Sequence, residues 1–136
     1  MLYFSKMDKK SFTLSELLLA VAILAMSLGA ILLALVQCFL LNEANRNLTR
    51  ALTHAEYILE DIKNTNFENI KTKIENGDWD WDSSEIVEEG LTPLNNENID
   101  TSVNGTTLLE IEVTVTWKDR GLRDRSTSLE TLIAQP

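Results

Sequence analysis

The 136-residue chain predicts an α+β fold, with one long N-terminal helix, transmembrane in its first half, packed in its second half on a small C-terminal antiparallel sheet. Three observations carry that prediction. From Leu17 to Leu41 there are 25 residues without an Asp, Glu, Lys or Arg. No Pro or Gly interrupts the chain from Ala30 to Asn76. Near the C-terminus, apolar and polar residues alternate from Thr107 to Trp117, the period of a half-buried strand.

At about 1.5 Å per residue the uncharged run spans roughly 37 Å as a helix, more than a bilayer core of about 30 Å. Residues 12–41 are therefore expected to cross a membrane. Glu16 stands at the start of this segment, and a buried carboxylate costs several kcal/mol unless it finds a partner. That makes Glu16 a candidate functional residue. Ser27 and Gly29 lie mid-span, where small residues allow close helix contact. The helix is expected to continue over residues 42–64, laying a stripe of Leu48, Leu52, Ala55, Leu59 and Ile62 on a small domain. Asn64-Thr65-Asn66 breaks it, and Phe67, Ile70 and Ile74 predict a short second helix that Asn76-Gly77 ends. Residues 76–98 read as an irregular acidic loop. Strands follow over about 99–134. Ile99 to Val103 joins Thr107 to Trp117 through Asn104-Gly105, a pair suited to a type I′ turn. Asp119-Arg120-Gly121 then turns the chain into a last strand from Ser126 to Ala134.

At Ser11, Phe12 and Thr13-Leu14-Ser15-Glu16, followed by the apolar run, the chain resembles the type IV pilin and pseudopilin family. That family has a short basic leader, a small residue, Phe, Thr-Leu-x-Glu and about twenty apolar residues. The resemblance implies a leader of residues 1–11, cut by a prepilin peptidase between Ser11 and Phe12, with N-methylation of Phe12. It implies that Glu16 sets the register of assembly with other pilins or pseudopilins. Ser11 departs from the Gly that the family prefers there. The order of a long helix followed by a meander, in a chain this small, is similar to the minor pilins and the minor pseudopilins of type II secretion. The implied function is a non-enzymatic structural subunit of such a filament.

Charge and the basic flank agree with an exported chain. Lys6, Lys9 and Lys10 against Asp8 make the leader positive, which predicts a cytoplasmic N-terminus and an extracytoplasmic C-terminal domain on the bacterial inner membrane. Without residues 1–11 the chain has 9 basic and 20 acidic residues. So acidic a surface argues against nucleic acid as a partner. An ordinary signal peptide has an apolar core of about 7–15 residues, half the length seen here, and a small-x-small cleavage site; Ala20-Val21-Ala22 sits inside the run.

The acidic loop is the one candidate for metal chemistry. Asp78, Asp80, Asp82 and Glu89 occupy positions 1, 3, 5 and 12 of an EF-hand-like calcium loop, but Ser83 stands where the tight turn needs Gly. The alternative is a solvated acidic loop whose Trp79 and Trp81 cover the sheet or a neighbouring subunit, with no cofactor. Cys38 is alone and reads as a small hydrophobe. His54 is the only histidine and reads as a surface or packing residue. Asn47-Leu48-Thr49 and Asn104-Gly105-Thr106 match the glycosylation sequon, the second being better explained as a turn. With no P-loop, dinucleotide fingerprint or nucleophile–base set, an enzyme is not expected. The second function class is a single-pass anchored acidic binding module that takes calcium or a partner and never polymerises.

Overall fold

A computed structural model describes residues 13–120 and 123–135. In chain order the elements are α1 (Leu14–Asn64), α2 (Phe67–Glu75), β1 (Trp81–Asp82), α3 (Ser83–Glu88), β2 (Asn98–Asn104), β3 (Leu108–Lys118) and β4 (Asp124–Ala134). The long helix and the antiparallel sheet make the fold α+β. Two units meet in the chain between Leu41 and Asn42.

The first unit is the apolar part of α1. Each described side chain up to Leu41 is exposed, among them Leu17, Ile23, Leu32 and Phe39. A helix with apolar residues on every side has no one face to bury in a small core, and this one is long and apolar enough to cross a membrane. Ser27 donates its hydroxyl back to the Ile23 carbonyl at 2.8 Å, so no hydroxyl is left open to an apolar surround. A Cβ added at Gly29 would meet nothing within 4 Å.

The second unit is built on a four-stranded meander of order β1-β2-β3-β4. Val113 pairs with Thr101 on β2 and Leu129 on β4, which fixes the register of the two main ladders. Strict alternation in β3 sends Leu109, Ile111, Val113, Val115 and Trp117 into the core, and Ile99 joins them from β2. Against these pack Ala51, Ala55, Ile58, Leu59 and Ile62 of α1, Ile70 and Ile74 of α2, Ile86 of α3, and Trp79 and Leu94 from the connections. Asn66 caps α2 by accepting from the Glu68 amide.

Three expectations require correction. The buried face of α1 is Ala51, His54, Ala55, Ile58, Leu59 and Ile62, while Leu48 remains 40% exposed and Leu52 is half-buried. The face is rotated because the polar His54 occupies a core position and hides the repeat. Residues 76–98 are not wholly irregular. Asp82 caps α3 in a reciprocal box, its side chain accepting from the Ser84 and Glu85 amides while Glu85 accepts from the Asp82 amide. The β2–β3 turn is not a two-residue type I′ turn either. That turn needs two residues of positive φ, and Gly105 at +94° is the one that has it, Asn104 closing β2 opposite Glu110. The chain therefore passes from β2 to β3 through residues 105–107, and a Cβ on Gly105 would meet the Leu108 carbonyl oxygen.

Candidate functional site: the start of the apolar helix

Thr13 and Glu16 open α1 as a capping box. The helix begins at Leu14, which makes Thr13 its N-cap and Glu16 its third residue. The Thr13 amide donates to Glu16 Oε2 at 2.9 Å, and the Thr13 hydroxyl donates to the same oxygen at 2.9 Å. In return the Glu16 amide donates to Thr13 Oγ1 at 3.4 Å. The Leu17 amide closes the first turn on the Thr13 carbonyl at 3.1 Å. One carboxylate oxygen thus accepts two bonds at the positive end of the helix dipole, which lowers the cost of a charge at the head of an apolar segment. Reading Glu16 from the resemblance alone misses Thr13. Thr-x-x-Glu directly before an apolar run is the signal that finds the pair. Ser11 and Phe12, the expected cleavage and methylation positions, lie outside the described residues.

Residues 6–36 match the family model of the prokaryotic N-terminal methylation motif. Over these residues the chain is similar to type IV pilins. The matched segment is the prepilin-type cleavage and methylation segment of type IV pilins and pseudopilins, a family whose members are structural rather than enzymatic. This motif and the apolar helix that continues it fit a protein anchored in the inner membrane. No curated protein and no solved structure matches the chain.

In the acidic segment the structure spreads the sequence-derived carboxylates over different tasks. Asp80 Oδ1 accepts from both the amide and the hydroxyl of Thr101, each at 2.8 Å, tying the segment to β2. Asp82 serves as the cap of α3, and the Glu85 and Ser84 amides hold its carboxyl below the usual value of 3.8. Glu89 Oε2 accepts from the Tyr57 hydroxyl at 3.5 Å. The Asp78 amide donates to the Lys73 carbonyl at 3.1 Å, at the end of α2. Among the described residues, no three His, Cys, Asp or Glu side chains are gathered to hold a metal ion. Trp79 is in the core and donates its indole N–H to Asp61 Oδ2 at 2.7 Å, with Lys73 Nζ 5.3 Å from its ring centre. Trp81 lies against Tyr57 with ring centres 6.0 Å apart. Together with Asp61, Lys73, Asp78 and Glu89, these aromatic residues line a cavity of about 430 Å³.

One polar centre has no counterpart in the sequence reading. His54 Nδ1–H donates to Glu97 Oε1 at 2.7 Å, with side-chain exposures of 3% and 0%. The other carboxylate oxygen accepts from the Leu94 amide at 2.6 Å, and the Glu97 carbonyl accepts from the Ser83 hydroxyl at 2.9 Å. The pair fastens the connection before β2 to α1. His54 is therefore a packing residue with a dedicated partner. The only sequence signal for Glu97 is its place two residues before a buried strand position, too weak to find it.

Proposed function

We propose that this chain is a minor structural subunit of a type IV pilus or type II secretion pseudopilus, made as a precursor and inserted once through the inner membrane. Prepilin peptidase removes residues 1–11 by cutting between Ser11 and Phe12, and Phe12 becomes the N-methylated terminus. Residues 12–41 then serve in turn as membrane anchor and as filament core. Residues 42–136 form the domain on the extracytoplasmic side, with the basic leader holding the N-terminus in the cytoplasm.

The observation that carries this reading is the Thr13–Glu16 box at the mouth of an apolar helix, inside the matched methylation motif. In a single chain Thr13 satisfies the Glu16 carboxylate. Cleavage exposes a cationic amine one residue before Thr13, and in a filament the amine of a neighbouring Phe12 approaches Glu16 and adds the charge pairing that burial requires. Thr13 therefore holds Glu16 in a helix-compatible rotamer until a neighbour arrives.

The test is Glu16→Ala in cells that assemble the filament. Membrane insertion and cleavage should be retained while incorporation falls sharply, read as the ratio of filament-bound to membrane-bound chain. Unchanged incorporation would show that Glu16 sets no register.

A further inference from the structure

Residues 42–136 carry 9 basic and 19 acidic side chains, and the two signs are segregated. Six of the basic residues, Arg46, Arg50, Lys118, Arg120, Arg123 and Arg125, gather where the chain emerges from the apolar run. Glu43 follows Leu41 by two residues, and Arg120 Nε donates to its Oε1 at 2.9 Å. Spacings of three and four put Glu43, Arg46 and Arg50 on one flank of α1, the flank that Arg120 reaches. Lys118 at the end of β3, Arg123 in the β3–β4 connection and Arg125 at the start of β4 share the end of that hairpin, closed by the Asp119 amide donating to the Arg123 carbonyl at 2.9 Å. Three acidic residues, Glu43, Asp119 and Asp124, share this end, each within 4 Å of one of its basic groups. The end is thus +3, and the remainder of the unit is −13. Beside Lys118 and Arg125 lies a cavity of about 430 Å³, bordered also by Trp117, Asn96, Asn98 and the Asp124 carboxylate that pairs with Lys118, with room for a phosphate group.

We propose that this basic end binds the headgroups of anionic phospholipids in the leaflet from which α1 emerges. The proposal rests on the reading that the apolar part of α1 spans a bilayer. Helical rise places Arg46 about 8 Å beyond Leu41, close to the headgroup layer of about 5–7 Å and within one Debye length of its charge. Near an anionic membrane surface each Lys or Arg adds about fivefold in affinity, so a cluster of this size suffices for recognition. The same surface repels the −13 remainder, so attraction and repulsion turn the domain the same way. A second copy of the chain, the other possible partner, leaves unexplained why the charge sits beside the emerging helix.

The experiment reconstitutes the full-length chain into phosphatidylcholine vesicles that carry dilute dansyl-phosphatidylglycerol or dansyl-phosphatidylcholine, and reads energy transfer from tryptophan. Transfer to the phosphatidylglycerol probe should be severalfold higher at low salt, and the ratio should fall toward one in 1 M salt, where the Debye length is about 3 Å. Arg123→Glu with Arg125→Glu, and separately Arg46→Glu with Arg50→Glu, should each reduce the ratio, while Lys63→Glu with Lys71→Glu leaves it unchanged. Two variants on different elements, each checked by near-ultraviolet circular dichroism, separate loss of binding from loss of fold. Equal transfer to both probes in the native chain, or a preference that survives both reversals, overturns the proposal. So does a reversal that lowers chain-to-chain crosslinking and spares the lipid ratio. A chain that fails to float with either vesicle overturns the membrane-spanning reading and the proposal with it; floating without preference overturns the proposal alone.

Discussion

Replacing Glu97 with Ala should be among the most damaging single changes available in the domain. Its carboxylate accepts from the His54 imidazole at 2.7 Å and from the Leu94 amide at 2.6 Å, and no part of that side chain is exposed. The substitution leaves two buried donors without an acceptor and opens a gap against α1. Breaking a buried pair by removing one partner costs about 3–5 kcal/mol. Domains of this size have about 5–15 kcal/mol of stability in all, and each kcal/mol moves Tm by roughly 4–8 °C. The expected fall in Tm is therefore at least about 12 °C. The assay is thermal unfolding of the full-length chain in detergent, followed by tryptophan fluorescence, because Trp79 and Trp117 are buried in this unit. Glu97→Gln keeps an acceptor and nearly the same shape, and should lose only about 1–2 kcal/mol. His54→Ala combined with Glu97→Ala should cost less than the two single changes added, by about 0.5–3 kcal/mol. A Glu97→Ala protein melting within about 2 °C of the native one would refute the argument that this pair holds the β2 connection to α1.

Two further outcomes test the local geometry. Gly105→Ala meets both a φ of +94° and the Leu108 carbonyl oxygen at the new Cβ, and should lower stability by about 2–3 kcal/mol in urea with an unchanged m-value; Gly90→Ala, at φ +78° with open space around it, should lose about 1 kcal/mol. Asp82 has its carboxyl held below the usual 3.8 by the Glu85 and then the Ser84 amide, so its capping contribution is complete above that value and is lost as pH falls through the lowered one. The difference in urea midpoint between the native chain and Asp82→Ala should be constant at neutral pH and shrink below about pH 4, and a gap that widens on acidification would contradict the capping role.

What the sequence discloses depends on how local each cause is. The long helix, its break at Asn64 to Asn66, the second helix and the meander follow from period and punctuation, which act over a few residues. The core face of α1 was misplaced because Leu48 and Leu52 look like better core residues than His54, and only the remote Glu97 makes His54 a core residue. The turn at Gly105 has the glycine that the sequence suggested, but its length depends on how β4 pairs with β3, with Gln135 donating to the Thr107 carbonyl at 3.1 Å. In the acidic segment, spacing alone suggested an ion site, whereas Asp80 and Asp82 are engaged with Thr101 and the start of α3. Glu16 stands out in the sequence from its setting, a lone carboxylate at the head of an uncharged run. Its bond to Thr13 was equally legible, as a capping box, to a reading that asked how the first turn of the helix is satisfied.

The proposed function requires a peptidase to cut this chain before Phe12 and so make it a filament subunit. The mass and N-terminal sequence of the chain recovered from membranes of cells that make the filament test it most directly. The expected product is a polypeptide of residues 12–136 carrying one added methyl group, with fragmentation placing that group on the amino nitrogen of Phe12. A chain that keeps residues 1–11, or begins at any residue other than Phe12, while filaments assemble normally, would contradict it.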